Sequence, residues 1–310
     1  MAAVATNDAA ATAVYHVPVM LRESVDALAV RDGGVYVDVT MGGGGHTREI
    51  LSRLTGGARL YSFDVDGDAE RNAPPEGATF TFVRSNFRYL RNWMRYYGES
   101  RLDGIIADLG VSWHHFDDAA RGFSFRHDAP LDMRMNRSAR HTAADILATY
   151  MAERLADVIY TYGELRQARR IAAAIVEART VAPVDTTGRL LAVTEPWLGR
   201  GRRDAAQLFQ ALRIEVNGEM TALSEMLAAA VDLLGTGGRL VVITYHSLED
   251  RMVKNVMRTG NTAGHRKQDF FGRIAAPLRP VGSRIVTPST QEQESNPRSR
   301  SAKMRVAEKI

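Results

Sequence analysis

Val35-Tyr-Val-Asp-Val-Thr-Met-Gly-Gly-Gly-Gly-His46 decides the reading of this chain. A short β-branched run ends in an acid, four glycines follow, and Thr47-Arg-Glu-Ile-Leu51 opens like a helix. A strand, a glycine loop and a helix N-terminus together form a nucleotide-type site at the carboxyl edge of a parallel sheet. Glycine there lets a ligand approach the backbone, because no Cβ intervenes. The next apolar run, Arg59-Leu-Tyr-Ser-Phe-Asp64, ends in an acid about 20 residues downstream, the usual place for a ribose-gripping carboxylate.

The loop excludes two familiar nucleotides. Counted from Gly42, the third glycine of Gly-x-Gly-x-x-Gly falls on Thr47, so the dinucleotide fingerprint is not met. No Gly-Lys-Ser/Thr follows, so a Walker loop fails as well. A glycine loop with a ribose acid and no provision for a diphosphate suits S-adenosyl-L-methionine better. A tight turn with no ligand is the plain competitor.

Working outward, apolar runs alternate with helical patterns, the signature of a doubly wound α/β sheet. Strands are expected at 35–39, 59–63, 79–83, 104–109 and 239–245. Arg239-Leu-Val-Val-Ile-Thr-Tyr245 is nearly all apolar, as a strand covered on both faces should be, and Gly235, Gly237 and Gly238 should end the helix before it. The gap between the fourth and fifth strands is too long for one crossover. It carries helical periodicity at 144–159 and 167–178, and again from Asp204, a candidate cap, to Leu234, with a break or bend near Asn217-Gly218. The expected organisation is a lead-in at 1–14, disordered rather than a signal peptide, and a methyltransferase-type sheet domain formed by 15–112 and 206–310. A mostly helical insert is expected at 113–205. Ser283–Val286 and Ala302–Ala307 are candidates for two short final strands.

The chain has 310 residues, 25% charged and 45% apolar, enough for a large core. It has no cysteine, which excludes disulfides and thiolate metal sites. No apolar run approaches the ~20 residues of a membrane span, so a cytoplasmic protein is expected. The net charge is only +4, but eight Lys/Arg against one acid lie between Arg251 and Arg284, and five against Glu308 follow Asn296. That clustering is the footprint of a polyanion binder; a solvated basic surface is the alternative.

Further strings belong together: Asp108-Leu-Gly-Val-Ser112, Asp117-Asp-Ala-Ala-Arg-Gly-Phe-Ser-Phe125, Pro130-Leu-Asp-Met-Arg-Met-Asn136, Phe209-Gln-Ala-Leu-Arg-Ile-Glu-Val-Asn217, Thr244-Tyr-His-Ser-Leu-Glu-Asp-Arg251 and Asn296-Pro-Arg-Ser-Arg-Ser-Ala-Lys303. From about His16 onward the chain resembles the bacterial ribosomal RNA small-subunit methyltransferase H family, also called MraW. The resemblance implies methyl transfer from S-adenosyl-L-methionine to the exocyclic N4 of one cytidine in the decoding region of small-subunit ribosomal RNA. It also implies a methyltransferase α/β fold with a helical insert. By position it assigns cofactor contacts to Gly44, Gly45, His46, Asp64, Phe87, Asp108 and His115. His115 stands where many relatives have Gln, and Trp113 where they have a second Ser.

Each residue also has a plainer role open to it. Asp64 could cap the following helix, Phe87 could be core, and His46 could serve a helix N-terminus. His246 could be a local hydrogen-bonding group, and Leu131, Met133 and Met135 could be packing residues. Asp108 is the candidate catalytic residue, bridging cofactor and target amine, with Phe123, Phe125 or Trp113 stacking the base. Arg121, Arg134, Arg251, Lys254 and the basic tail are candidate phosphate contacts, although Asp117, Asp118 or Asp132 could pair with the first two. No metal is expected. The expected partner is small-subunit RNA, within an assembled subunit rather than naked. The apolar helix near 212–234 is core or, alternatively, a homodimer surface. Methylation of DNA or a small molecule, and a noncatalytic RNA-binding assembly role, are the rival functions.

Overall fold

The computed structural model describes residues 18–110, 119–266, 268, 276–282 and 285–310. Helix α1 (Leu21–Leu28) precedes β1 (Val35–Asp38), α2 (Gly45–Leu51), β2 (Arg59–Asp64), α3 (Gly67–Glu70), β3 (Phe80–Arg84), α4 (Leu90–Tyr96) and β4 (Leu102–Asp108). The helical insert supplies α5 (Ala143–Thr149), α6 (Ala152–Gly163), α7 (Ala168–Val181), α8 (Thr187–Thr194) and α9 (Arg202–Asn217). The chain then returns through α10 (Glu219–Leu233), β5 (Leu234–Thr244), α11 (Ser247–Thr259), β6 (Leu278–Pro280), α12 (Thr290–Ser295) and β7 (Lys303–Lys309).

The seven strands are ordered β3-β2-β1-β4-β5-β7-β6. β1 to β5 run parallel, and β7 is antiparallel to both neighbours. Alternation along each strand feeds two apolar layers. Val37, Ile105, Leu240 and Val242 join Leu223, Met226 and Leu227 of α10 and Val253 of α11. Tyr36, Ile106, Val241 and Ile243 face the other way, toward Val25 and Leu28 of α1 and Ile50 of α2. The sheet is therefore covered on both faces, as a doubly wound sheet requires. The strand order reverses between β1 and β4, and ligand crevices form at such a switch point.

The insert has its own core. Leu155 and Ile159 of α6, Ile171 and Ile175 of α7, and Leu208, Phe209 and Leu212 of α9 form one buried cluster. The helical layer thus extends past the expected limit at 205, through α9. The return to the sheet comes at Gly218, whose positive φ of 60° breaks the apolar run into two helices. Helix α10 spends its apolar face on the sheet core.

Several local expectations are corrected. The single helix at 144–159 is two, because Tyr150 and Met151 are extended (ψ 142° and 156°). Arg179 Nη1 donates to the carbonyls of Leu147 (2.6 Å) and Tyr150 (2.8 Å), satisfying acceptors the break exposes. Asp204 does not cap α9. Gly201 holds that position, and Asp204 accepts from the backbone N–H and Nε of Arg200 (3.0 and 2.6 Å). The glycines before 239 lie inside β5, where the register jumps from Leu102↔Leu234 to Gly104↔Arg239. Among the described residues the penultimate strand is 278–280; Ser283 and Arg284 of the expected 283–286 lie outside them. Val286 makes only an isolated bridge to Met304, since β6 already pairs with β7 further along.

Candidate functional site

The loop after β1 is built on carboxylates, one of them buried. Asp38 is 1% exposed; its Oδ1 accepts from Thr40 N (3.0 Å) and its Oδ2 from Thr47 Oγ1 (2.8 Å). Thr47 Oγ1 and Ser62 Oγ are also 2.8 Å apart. The Thr47 proton goes to the carboxylate, so Ser62 is the donor in that contact. This chain of bonds ties α2 to β1 and β2. Burial pushes the Asp38 carboxyl above its usual range, against the pull of His46, Thr47 and Thr40.

Asp64 fastens the glycine loop to the next crossover. Its Oδ2 accepts from Gly42 N (2.8 Å) and its Oδ1 from Asp66 N (2.8 Å). It does not cap α3; Asp66 does, accepting from Asp68 N (3.0 Å). Gly44 turns the loop at φ 76°, and a Cβ at Gly45 would lie 1.9 Å from Pro18 Cγ, so the backbone there is packed directly. Phe87 begins a 3-10 turn capped by Asn86 and packs partly buried against the sheet core.

Asp108 ends β4 beside this loop. Its N–H donates to Thr40 Oγ1 (2.7 Å), and its Oδ1 accepts from the Tyr245 hydroxyl (2.8 Å). Its Oδ2 lies 4.0 Å from His46 Nδ1, beyond hydrogen-bond length. His46 is 5% exposed, and its Nε2 is buried without a hydrogen-bond partner among the described residues. Burial first, and then the Asp108 charge, push the Tyr245 phenol well above its ordinary range, so it stays protonated and donates.

Gly45, His46, Asp64, Phe87 and Asp108 line one cavity of about 2680 Å³, together with Tyr245 and, from the insert side, Phe123, Phe125, Arg213 and Asn217. Gly44 shapes the loop behind the wall. Trp113, His115, Asp117 and Asp118 lie outside the described residues. Sequence reasoning gave no role to Tyr245. The available signal was register: Asp108 pairs with Ile243, so the residues just after β5 sit level with the end of β4.

The candidate phosphate contacts divide. Arg121 is 5% exposed and donates to the carbonyls of Arg134 (2.7 Å) and Met135 (3.0 Å), with Asp66 Oδ2 at 3.4 Å. Arg134 grips Asp132 through two 2.7 Å bonds. Both are internal struts rather than phosphate contacts. Arg251 pairs with Glu164 at 2.9 Å. Arg126, Arg202 and Arg300 are instead exposed and line the cavity from three chain segments. His246 caps α11 and reciprocates with Glu249, and Leu131 and Met133 are buried core, as their plainer readings expected. His246 and Glu249 also approach Glu219, which the half-buried Arg213 holds with two 2.9 Å bonds.

A seven-stranded sheet with a reversed β7 next to last and a glycine loop at its switch point defines an α/β methyltransferase domain, here carrying a helical insert. The family model described as the MraW methylase family matches residues 13–310, and the chain belongs to that family. A protein of Parabacteroides distasonis named ribosomal RNA small subunit methyltransferase H is 59% identical over 299 residues, 96% of this chain and 98% of that one. A Bacteroides fragilis protein of the same name is 60% identical, covering 95% and 97%. Among solved structures, an rRNA methylase from Streptococcus thermophilus aligns over 95% of this chain and 99% of its own, with 14% identity and a TM-score of 0.39. No helix among the described residues is long and apolar enough to cross a membrane.

Proposed function

We propose that this protein methylates small-subunit ribosomal RNA, taking the methyl group from S-adenosyl-L-methionine and placing it on the exocyclic N4 of one cytidine. The carrying observation is the arrangement around the switch point: Asp64 and Asp108 flank a glycine loop in a cavity wide enough for a cofactor and an extruded base. The residues fit the cofactor. A buried imidazole nitrogen without a partner is uncommon unless a ligand or water completes it, and among the described residues His46 Nε2 has none. Asp64 would hold the ribose diol, since its carboxylate ends β2 beside the glycine loop and lines the cavity. Phe87 would pack against the adenine. Bound there, the cofactor supplies an electrophilic methyl on a sulfonium.

The chain's own task is to present the nucleophile. The lone pair of cytosine's amino nitrogen is delocalised into the ring. A carboxylate accepting from the amino protons localises it, and Asp108, which lines the cavity and has its Oδ1 held by Tyr245, would be that acceptor through Oδ2. Phe125 would stack the base: it is half-buried, with its edge on Phe209 at 5.2 Å, whereas Phe123 is buried beneath Arg121. The relatives' names support ribosomal RNA of the small subunit as substrate. The breadth of the cavity and the exposed arginines from three segments favour an assembled particle over naked RNA.

The test is transfer of labelled methyl to three substrates: small subunits from cells lacking this gene, naked ribosomal RNA and duplex DNA. N4-methylcytidine at one site, recovered by mass spectrometry from subunits, is expected. Label only in DNA, or none in any RNA despite cofactor binding, would overturn the assignment in favour of a DNA or small-molecule methylase or an assembly factor. Asp108→Asn should then abolish most turnover at saturating cofactor with little change in cofactor affinity; weakened binding with intact turnover would restrict Asp108 to holding the cofactor.

A further inference from the structure

We propose that Tyr245 is a positioning residue for the transfer. Its hydroxyl holds Oδ1 of Asp108 and so leaves Oδ2 as the oxygen that receives the acceptor nitrogen. This rests on the methyl-transfer reading above and extends it to a residue just past the end of β5.

Three observations carry the inference. The Tyr245 hydroxyl is 2.8 Å from Asp108 Oδ1, a contact spanning 137 residues of sequence. The tyrosine has little freedom to be elsewhere. Its N–H donates to Glu249 Oε2 (2.9 Å), and its ring lies across the backbone of Gly110, where a Cβ would stand 2.9 Å from Cε2. The adjoining strand ends are level, with Leu109 N donating to Ile243 O at 3.0 Å. Finally, Asp108 has a competing partner. His46 Nδ1 stands 4.0 Å from Oδ2, close enough that a small rotation of the carboxylate would make a hydrogen bond and engage that oxygen.

Tyr245 therefore prevents Asp108 from collapsing onto His46. A phenol suits this task because it reaches across from just beyond β5 and, kept protonated by burial and by the carboxylate itself, donates without competing for the substrate's proton. Gly110 is glycine because the ring needs its surface.

The experiment is a double-mutant cycle on Tyr245→Phe and Asp108→Asn. Single-turnover methyl transfer to small subunits is followed with enzyme in excess, so that slow variants register. Tyr245→Phe should lower the rate constant roughly 10- to 100-fold, the range for a hydrogen bond to a charged group. Cofactor Kd, subunit KM and Tm should stay within about twofold or a few degrees of the parent. In the Asp108→Asn background the same change should cost less than about twofold, because the geometry it protects is already lost. Gly110→Ala, which displaces the ring but keeps the hydroxyl, should reproduce the rate loss. A rate within twofold of the parent, or equal losses in both backgrounds, would overturn the proposal and leave Tyr245 as packing. Failure of the unmodified enzyme to methylate RNA would sink the functional reading and this proposal with it; normal transfer with an unaffected Tyr245→Phe sinks only this proposal.

Discussion

Three aspartates around the glycine loop, Asp38, Asp64 and Asp66, each accept a backbone amide, and only Asp38 is sealed from solvent. That seal makes Thr47 sensitive. Thr47→Val preserves shape but removes the donor to Asp38 Oδ2 and the acceptor for Ser62. A buried acceptor left without its partner costs about 1–3 kcal/mol, and more when charged. Urea unfolding should show a loss of at least that size, with an unchanged m-value; a change below about 0.5 kcal/mol would mean that water replaces the hydroxyl. At this scale the sequence was readable where chemistry is local. Four glycines and strand-end acids mark the loop, Asp64 and Asp108 without knowledge of the fold. Tyr245 was not readable, because its partner lies across a parallel strand pair. Arg121 and Arg134 showed their charge but not that Asp66, Asp132 and backbone carbonyls absorb it.

Elements were legible in proportion to the strength of their period. β1 to β5 were found from apolar runs, since strands covered on both faces need them. β6 was missed because three residues at a sheet edge carry no pattern, and the break between α5 and α6 was missed because the apolar repeat continues through it. A contact between elements also went unseen. Glu164, the C-cap of α6, accepts from Ser247 Oγ (2.6 Å) and Arg251 (2.9 Å) at the start of α11, latching insert to sheet domain. Ser247 first, then Arg251, hold its carboxyl below the usual value of 4.5. A carboxyl with a depressed folded-state pKa gives stability that is complete above the unfolded value and lost as pH falls through the folded one. Glu164→Gln should thus lower Tm slightly at neutral pH. The gap to the parent should close as pH drops below 4.5, and a gap independent of pH would show that charge is not the latch.

The whole molecule is two apolar layers around a sheet with a separate helical core beside them, and the large cavity is walled by all of these parts. RNA engagement is therefore expected to draw on distant segments at once. Replacing Arg126, Arg202 and Arg300 together by alanine should weaken subunit binding and reduce the slope of log K against log salt by about 2, at ~0.7 per single-strand phosphate contact. Cofactor affinity should be unchanged, and an unaltered slope would remove these arginines from the interface. The sheet order also governs how the protein is made. β5 pairs on one side with β4 and on the other with β7, whose Lys303 meets Thr244. β6 emerges between them but pairs only with β7. While a ribosome synthesises the intervening 58 residues (245–302), the chain carries Leu240, Val241, Val242 and Ile243 on an open edge. Such an edge invites pairing with other chains. The newborn protein thus passes through an adhesive interval, and translation speed or chaperone supply over that stretch will set its yield.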